Sequence, residues 1–342
     1  MSESDLPTLT RARLFQMMQA YKETSLVKTG IELGVFDHLA AGPMDVEAVS
    51  DAFGGDPRGT RILLNALAAL RLVGTDGRRY WLAPGADELL VRESAGYAGD
   101  MVHVFASDWE WNALNRFAEA VRKGGTVLDE HAETPEYKYW EDFAAYAPVV
   151  AKPTADVLAD AIGRWATGRE HLDVLDLACG HGVYGYTVAD RYPQATVASL
   201  DWENVLAVAA SHAERMGVLD RTRFITGDMF EVSLGGPYDL VLITNVLHHF
   251  SEERATELLT RAASVVKPDG RVGVVGFTTS DALPADDPAP HLFSVLMLAW
   301  TAEGEVHSEA AYEKMYRAAG LEQPTIHTVA GLPFRVLLAG PA

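Results

Sequence analysis

Cysteine is almost absent. Cys179 stands alone among 342 residues, which excludes an internal disulfide framework and sets the expectation of a reducing, cytoplasmic compartment. Positive charge is also scarce, with 28 lysines and arginines against 48 aspartates and glutamates and a net charge of −20. Such a field repels phosphate backbones and anionic bilayers, so neither a nucleic-acid nor a membrane partner is expected. No uninterrupted apolar run approaches the roughly 20 residues that span a bilayer. The opening Met-Ser-Glu-Ser-Asp has neither the basic nor the apolar region of a secretory signal. What the chain does have is apolar content, 48%, enough for a sizeable core shared between domains.

Along the chain the texture changes twice. From Arg13 to about Leu39, Leu14, Met17, Met18, Tyr21, Leu26, Ile31 and Leu33 recur at largely helical spacing and predict interface or core helices. A short helix opening at Asp45, a turn at Phe53-Gly54-Gly55-Asp56-Pro57 and a helix from Thr60 to Leu72 read as a helix-turn-helix, and Val73–Thr75 with Tyr80–Leu82 as its wing. The would-be recognition helix, Ile62 to Leu70, offers almost no side chains that read bases, so residues 1–97 are expected to form a winged-helix dimerisation domain and the chain a homodimer. Residues 98–165 are helical and rich in rings, including Trp109, Trp111, Tyr137, Tyr139, Trp140 and Phe143, which suit either a core or the wall of a ligand pocket. From 166 to 342, strands alternate with helices: Val174–Leu177, Thr196–Leu200, Arg223–Thr226, Leu240–Thr244 and Arg271–Phe277, then a terminal hairpin, Ile326–Val329 and Phe334–Leu338. The fold class is therefore α/β, a Rossmann-like doubly wound sheet behind a helical amino-terminal domain.

The first of these strands ends in Asp176-Leu177-Ala178-Cys179-Gly180-His181-Gly182, where small residues let backbone approach a ligand. Gly180 to Gly185 matches G-x-G-x-x-G, which alone is equally compatible with a nicotinamide or flavin enzyme. Asp201 closes the second strand, where a carboxylate accepts from ribose hydroxyls in either cofactor class. Asp176 discriminates, since its charge repels a pyrophosphate and attracts the sulfonium and ammonium of S-adenosylmethionine. Past the third strand, Asp228 can accept from an adenine amino group while Met229 and Trp202 sandwich the ring.

With Asp176 to Gly182, Asp201, Gly227-Asp228, Leu247-His248, Lys267-Pro268-Asp269-Gly270 and the Trp111 to Gly125 segment, the chain resembles the dimeric small-molecule O-methyltransferases of the class I S-adenosylmethionine-dependent kind, over nearly its full length. The resemblance implies that Gly180 lines the cofactor, Asp201 holds its ribose, and Trp202, Asp228, Met229 and Phe230 surround its adenine. Thr244 falls where plant members of the family place a lysine that reaches the cofactor. It implies a small aromatic, hydroxylated acceptor, with C- or N-methylation of an aromatic or keto-acid acceptor as the enzymatic alternative and a cofactor-sensing winged-helix regulator as the non-enzymatic one.

His248 follows the fourth strand, at the carboxyl end of the sheet where open α/β folds bind ligands. An imidazole of ordinary pKa about 6.5 takes a proton from a phenol near 10 only if the proton leaves as the methyl group arrives. His248 is the expected general base. His249, Gly276 and Val306 stand where plant members carry an aspartate and two orienting glutamates. His249 and His307 complete the catalytic candidates. With His291 they offer imidazoles to a metal, but their spacing is no recognisable ligand motif, so none is expected. The Pro284 to Trp300 segment reads either as a mobile cover or as a loop leading into a core helix.

Overall fold

The computed structural model describes residues 7–329 and 331–342. The chain divides into two compact units with the boundary between Ser107 and Asp108.

In the amino-terminal unit, local capping sets the helix-turn-helix. The Asp45 carboxylate accepts from the Ala48 N–H at 2.9 Å and starts the helix Val46–Phe53; Asp56 accepts from Gly59 at 2.8 Å and starts Pro57–Ala69. A proline at the first position of the second helix costs no hydrogen bond there. That helix buries Leu63, Leu64 and Leu67 against Phe36, Leu39, Val49 and Tyr80, while Ile62 on its other side stays exposed. The wing is a three-stranded sheet, with β1 (Met44–Asp45) and β2 (Val73–Thr75) flanking β3 (Arg79–Leu82). The two-residue β1 has no periodicity to reveal it. The helix Arg11–Gln19 buries no residue, and Leu14, Phe15, Met17 and Met18 are exposed along it.

The carboxy-terminal unit is built on β4 (Leu172–Leu177), β5 (Ala195–Asp201), β6 (Thr222–Thr226), β7 (Tyr238–Thr244), β8 (Val266–Phe277), β9 (Thr325–Thr328) and β10 (Phe334–Ala339). Their order is β6-β5-β4-β7-β8-β10-β9, with β4 to β8 parallel and β10 antiparallel to both of its neighbours. Both faces are covered, which explains why the central strands read as continuous apolar runs. Val174, Leu240 and Leu242 pack with the helices Pro148–Ala161 and Val183–Arg191, whereas Leu175, Leu177, Val241 and Ile243 pack with Glu252–Ser264 and Glu309–Ala318. The connection reverses direction between β4 and β7, and the crevice outside the carboxyl ends of these strands is where such sheets bind ligands. Among the described residues no helix is long and apolar enough to cross a membrane.

The opposite, amino ends of β4 and β7 are clamped by charge. The buried Asp239 carboxylate accepts from Arg169 at 2.6 Å, Lys267 at 2.8 Å and the Asp173 N–H at 2.7 Å. Arg169 also bonds Asp269 at 2.7 Å, so this clamp occupies the charged residues of the Lys-Pro-Asp-Gly stretch. Removing one partner of a buried pair strands the others. Asp239→Ala is expected to lower stability by about 3 kcal/mol, read as a shifted urea midpoint with unchanged slope.

Candidate active site

Left-handed backbone shapes the turn after β4. Ala178, Gly180 and Gly182 have φ of 51°, 55° and 72°, and glycine is needed at the last because a Cβ there would lie 2.2 Å from Tyr186 Cε2. Asp201, at the end of β5, holds the turn: its Oδ2 accepts from the Gly180 N–H and its Oδ1 from the Trp202 N–H, both at 2.8 Å. Burial pushes this carboxyl up to about 6, against the pull of those two donors.

Asp176 lies within β4, before the turn, and is not among the residues that line the cavity beyond it. It is fully buried, accepts from the Gly185 N–H at 3.2 Å, and burial pushes it well above the usual carboxylate range. It shapes the start of the helix Val183–Arg191 through that bond, while its Oδ1 is buried with no hydrogen-bond partner among the described residues. Gly182 likewise acts through backbone shape.

A cavity of about 200 Å³ opens beyond the turn. It is lined by Trp202, Asp228, Met229 and Phe230, by Asp201 and Gly180, by Thr244, Asn245 and His249, and by Trp140 and Phe143. The expected nucleoside contacts are thus gathered at one cavity. The Asp228 carboxylate accepts from the Phe230 N–H at 2.8 Å, the Phe230 ring meets Phe250 edge-on at 5.1 Å, and the Arg254 guanidinium lies 3.6 Å over it. An adenosine-type ligand fits this donor set. Aromatic and apolar side chains and the carboxylates of Asp201 and Asp228 line the cavity, and within 4 Å a Cβ on Gly180 would meet Phe143 Cε1, at 4.0 Å. His181, Tyr184, Asn245 and Arg254 also line the cavity. Sequence reasoning missed their roles, although His181 and Tyr184 lie inside the glycine motif.

A single 3₁₀ turn, Leu247–His249, follows β7 and sets two imidazoles side by side with centroids 4.7 Å apart. His249 faces the cavity 5.3 Å from the Trp140 ring, and burial pushes it down to about 4. His248 packs edge-on to Phe293 at 5.0 Å and is 2% exposed. Burial, then His249 and His307, holds it well below the usual imidazole range, so it is neutral and able to accept a proton. Its Nδ1 has no hydrogen-bond partner among the described residues, and a Cβ on Gly276 would lie 3.5 Å from that nitrogen. The position that would carry an orienting carboxylate is a glycine. His307 is buried behind the turn with Nε2 3.2 Å from the Leu247 carbonyl, where it supports the backbone that carries His248. Among the described residues no group of three His, Cys, Asp or Glu side chains is placed to hold a metal. The Pro284 to Trp300 segment resolves toward the core-helix reading: the helix Pro288–Trp300 buries Met297 and Trp300.

Comparison with known proteins places this geometry. Residues 167–322 match the O-methyltransferase domain family and residues 15–92 the O-methyltransferase dimerisation domain. A solved Nostoc punctiforme protein classed as an O-methyltransferase is 30% identical, covers 97% of this chain and 100% of its own, and superposes with a TM-score of 0.89. Human N-acetylserotonin methyltransferase, solved in complex with S-adenosylmethionine, shares the fold at 22% identity, with all of both chains covered and a TM-score of 0.83. The mitomycin biosynthesis 6-O-methyltransferase of Streptomyces lavendulae is 25% identical over 309 residues, covering 89% of this chain and 87% of that relative.

Proposed function

This chain belongs to the S-adenosylmethionine-dependent O-methyltransferase family, and from that premise we propose that it methylates a hydroxyl of a small aromatic acceptor in natural-product biosynthesis. One observation carries the reading: a glycine turn anchored by Asp201 and the His249 imidazole line the same cavity, and His248 packs directly behind His249. When bound, S-adenosylmethionine supplies a methyl group activated on a sulfonium. Asp201 holds the ribose hydroxyls; Trp202, Met229 and Phe230 enclose the adenine; Asp228 accepts from its amino group; and Gly180 and Thr244 line the remainder. Trp140 and Phe143, with the rings behind them, exclude water and favour a flat acceptor. His248 accepts the acceptor's proton at a ring nitrogen as the new bond forms, and His249 packs against it from the cavity side.

The same proposal divides the chain by task, with residues 1–97 for dimerisation, 98–165 for the pocket wall and 166–342 for cofactor and chemistry. The unburied apolar face of Arg11–Gln19 supports a homodimer, because isolated chains rarely leave such a stripe in water. The net charge of −20 argues against nucleic acid, and the single cysteine suits the cytoplasm. Incubation with methyl-labelled cofactor and a panel of phenols is expected to release S-adenosylhomocysteine and label an oxygen. Release with no panel member, in a protein that also fails to bind the cofactor, removes the assignment.

The unpartnered Nδ1 of His248 favours a second reading, transfer to nitrogen or carbon. Without a carboxylate behind it the imidazole is a weaker base, and a neutral amine needs none before it attacks. The position of the label in the product separates the two.

A further inference from the structure

Two polar groups on the cavity wall are left without a task by these assignments. Asn245 ends β7 with φ of 56°, a left-handed conformation that asparagine tolerates better than most residues. Its Nδ2 donates to the Tyr184 hydroxyl at 3.1 Å, while its Oδ1 is buried with no hydrogen-bond partner among the described residues. Such an acceptor carries a desolvation cost that a ligand donor removes. His181 presents the complementary group. Its Nδ1 accepts from the Val183 N–H at 3.1 Å, so the ring proton resides on Nε2, and burial keeps the ring neutral by pushing it down to about 3. The ring is stacked between Phe143 at 6.0 Å and Tyr184 at 5.8 Å, and all three line the cavity.

We propose that Asn245 and His181 read the amino-acid end of the cofactor, Asn245 Oδ1 accepting from its α-ammonium and His181 Nε2–H donating to its α-carboxylate. This rests on the cofactor reading above. The nucleoside contacts lie at Asp201, Trp202 and Asp228 to Phe230, and the cationic side chain on the wall, Arg254, is spent on the Phe230 ring. Of the remaining wall, the Glu133 carboxylate is engaged by the Ala302 N–H at 2.6 Å, and His181 and Asn245 offer the zwitterion a neutral donor and a neutral acceptor. That suits a group whose own charges already balance, and it avoids burying an unpaired ion.

Calorimetry with two ligands tests it: S-adenosylhomocysteine, and 5′-methylthioadenosine, which has the nucleoside but no amino-acid group. His181→Asn keeps an acceptor for the Val183 N–H and deletes the distal donor. Asn245→Gly deletes the amide at a φ that glycine accommodates, and Asn245→Asp retains an acceptor there. His181→Asn and Asn245→Gly are each expected to weaken S-adenosylhomocysteine about tenfold or more while 5′-methylthioadenosine stays within about twofold. Asn245→Asp is expected to restore most of the loss. Unchanged binding of S-adenosylhomocysteine, or equal losses for both ligands, overturns the proposal. A wild-type protein that binds neither ligand overturns the cofactor reading instead.

Discussion

His248→Ala is expected to lower kcat by about 10³-fold, within the range general bases contribute, while leaving S-adenosylhomocysteine affinity within about twofold. The selectivity follows from position. His248 lies in the turn after β7, away from Asp201 and the adenine wall, so its loss removes a proton acceptor and no nucleoside contact. Because its surroundings hold the imidazole neutral, kcat at saturating cofactor should show no acid limb near pH 6.5, where an ordinary histidine would protonate. His249→Ala separates the two rings. It opens the cavity wall beside Trp140 and is expected to raise KM for the acceptor more than it lowers kcat. Near-native turnover in His248→Ala together with its collapse in His249→Ala would transfer the base to the cavity-facing ring.

Asp201→Ala is expected to weaken S-adenosylhomocysteine by more than about 100-fold, since the proposed charge-assisted hydrogen bonds to the ribose and the anchor of the glycine turn go together. Asp201→Asn should lie between the two, because it keeps an acceptor oxygen but not the charge. The carboxyl titrates at about 6, so wild-type affinity should fall as pH drops from 8 to 5, and the Asn variant should be flat over that range. Folding responds with the opposite sign. A carboxyl raised above its unfolded value contributes stability that is present below about pH 4 and lost as pH rises through about 6. Acidification therefore does not unfold the ligand-free protein through Asp201. It abolishes the ligand's stabilising shift in melting temperature, which differential scanning fluorimetry with and without S-adenosylhomocysteine would record.

The sheet was legible because parallel strands buried on both faces leave apolar runs, and β4 to β8 stand where those runs are, extended by one or more residues at their ends. The terminal hairpin stands at the edge of the sheet, its strands within one residue of the expected bounds. Elements fixed by single contacts were less visible. The Trp111 to Gly125 stretch resembles the family's substrate-domain helix, yet Arg116, with φ −105° and ψ 13°, separates Asp108–Asn115 from Phe117–Lys123. The glycine motif announced a ligand turn, but not that Asp176 would face Gly185 beneath it, because a strand-end side chain can point to either face of a pleated sheet. The imidazole pair was readable from its position after the fourth strand together with the family resemblance. Its missing carboxylate was suggested by Gly276, and the structure leaves Nδ1 without a partner.

The ring chain behind the cavity has an optical consequence. Tyr137, Tyr139, Trp140 and Trp300 are linked by centroid separations of 4.4 to 6.2 Å, and Trp140 ends that chain on the cavity wall against His249. Excitation absorbed by the tyrosines can pass to the neighbouring indoles, and because Trp140 and Trp202 line the cavity, tryptophan emission is expected to change when a ligand enters, which a titration without dye or label would record.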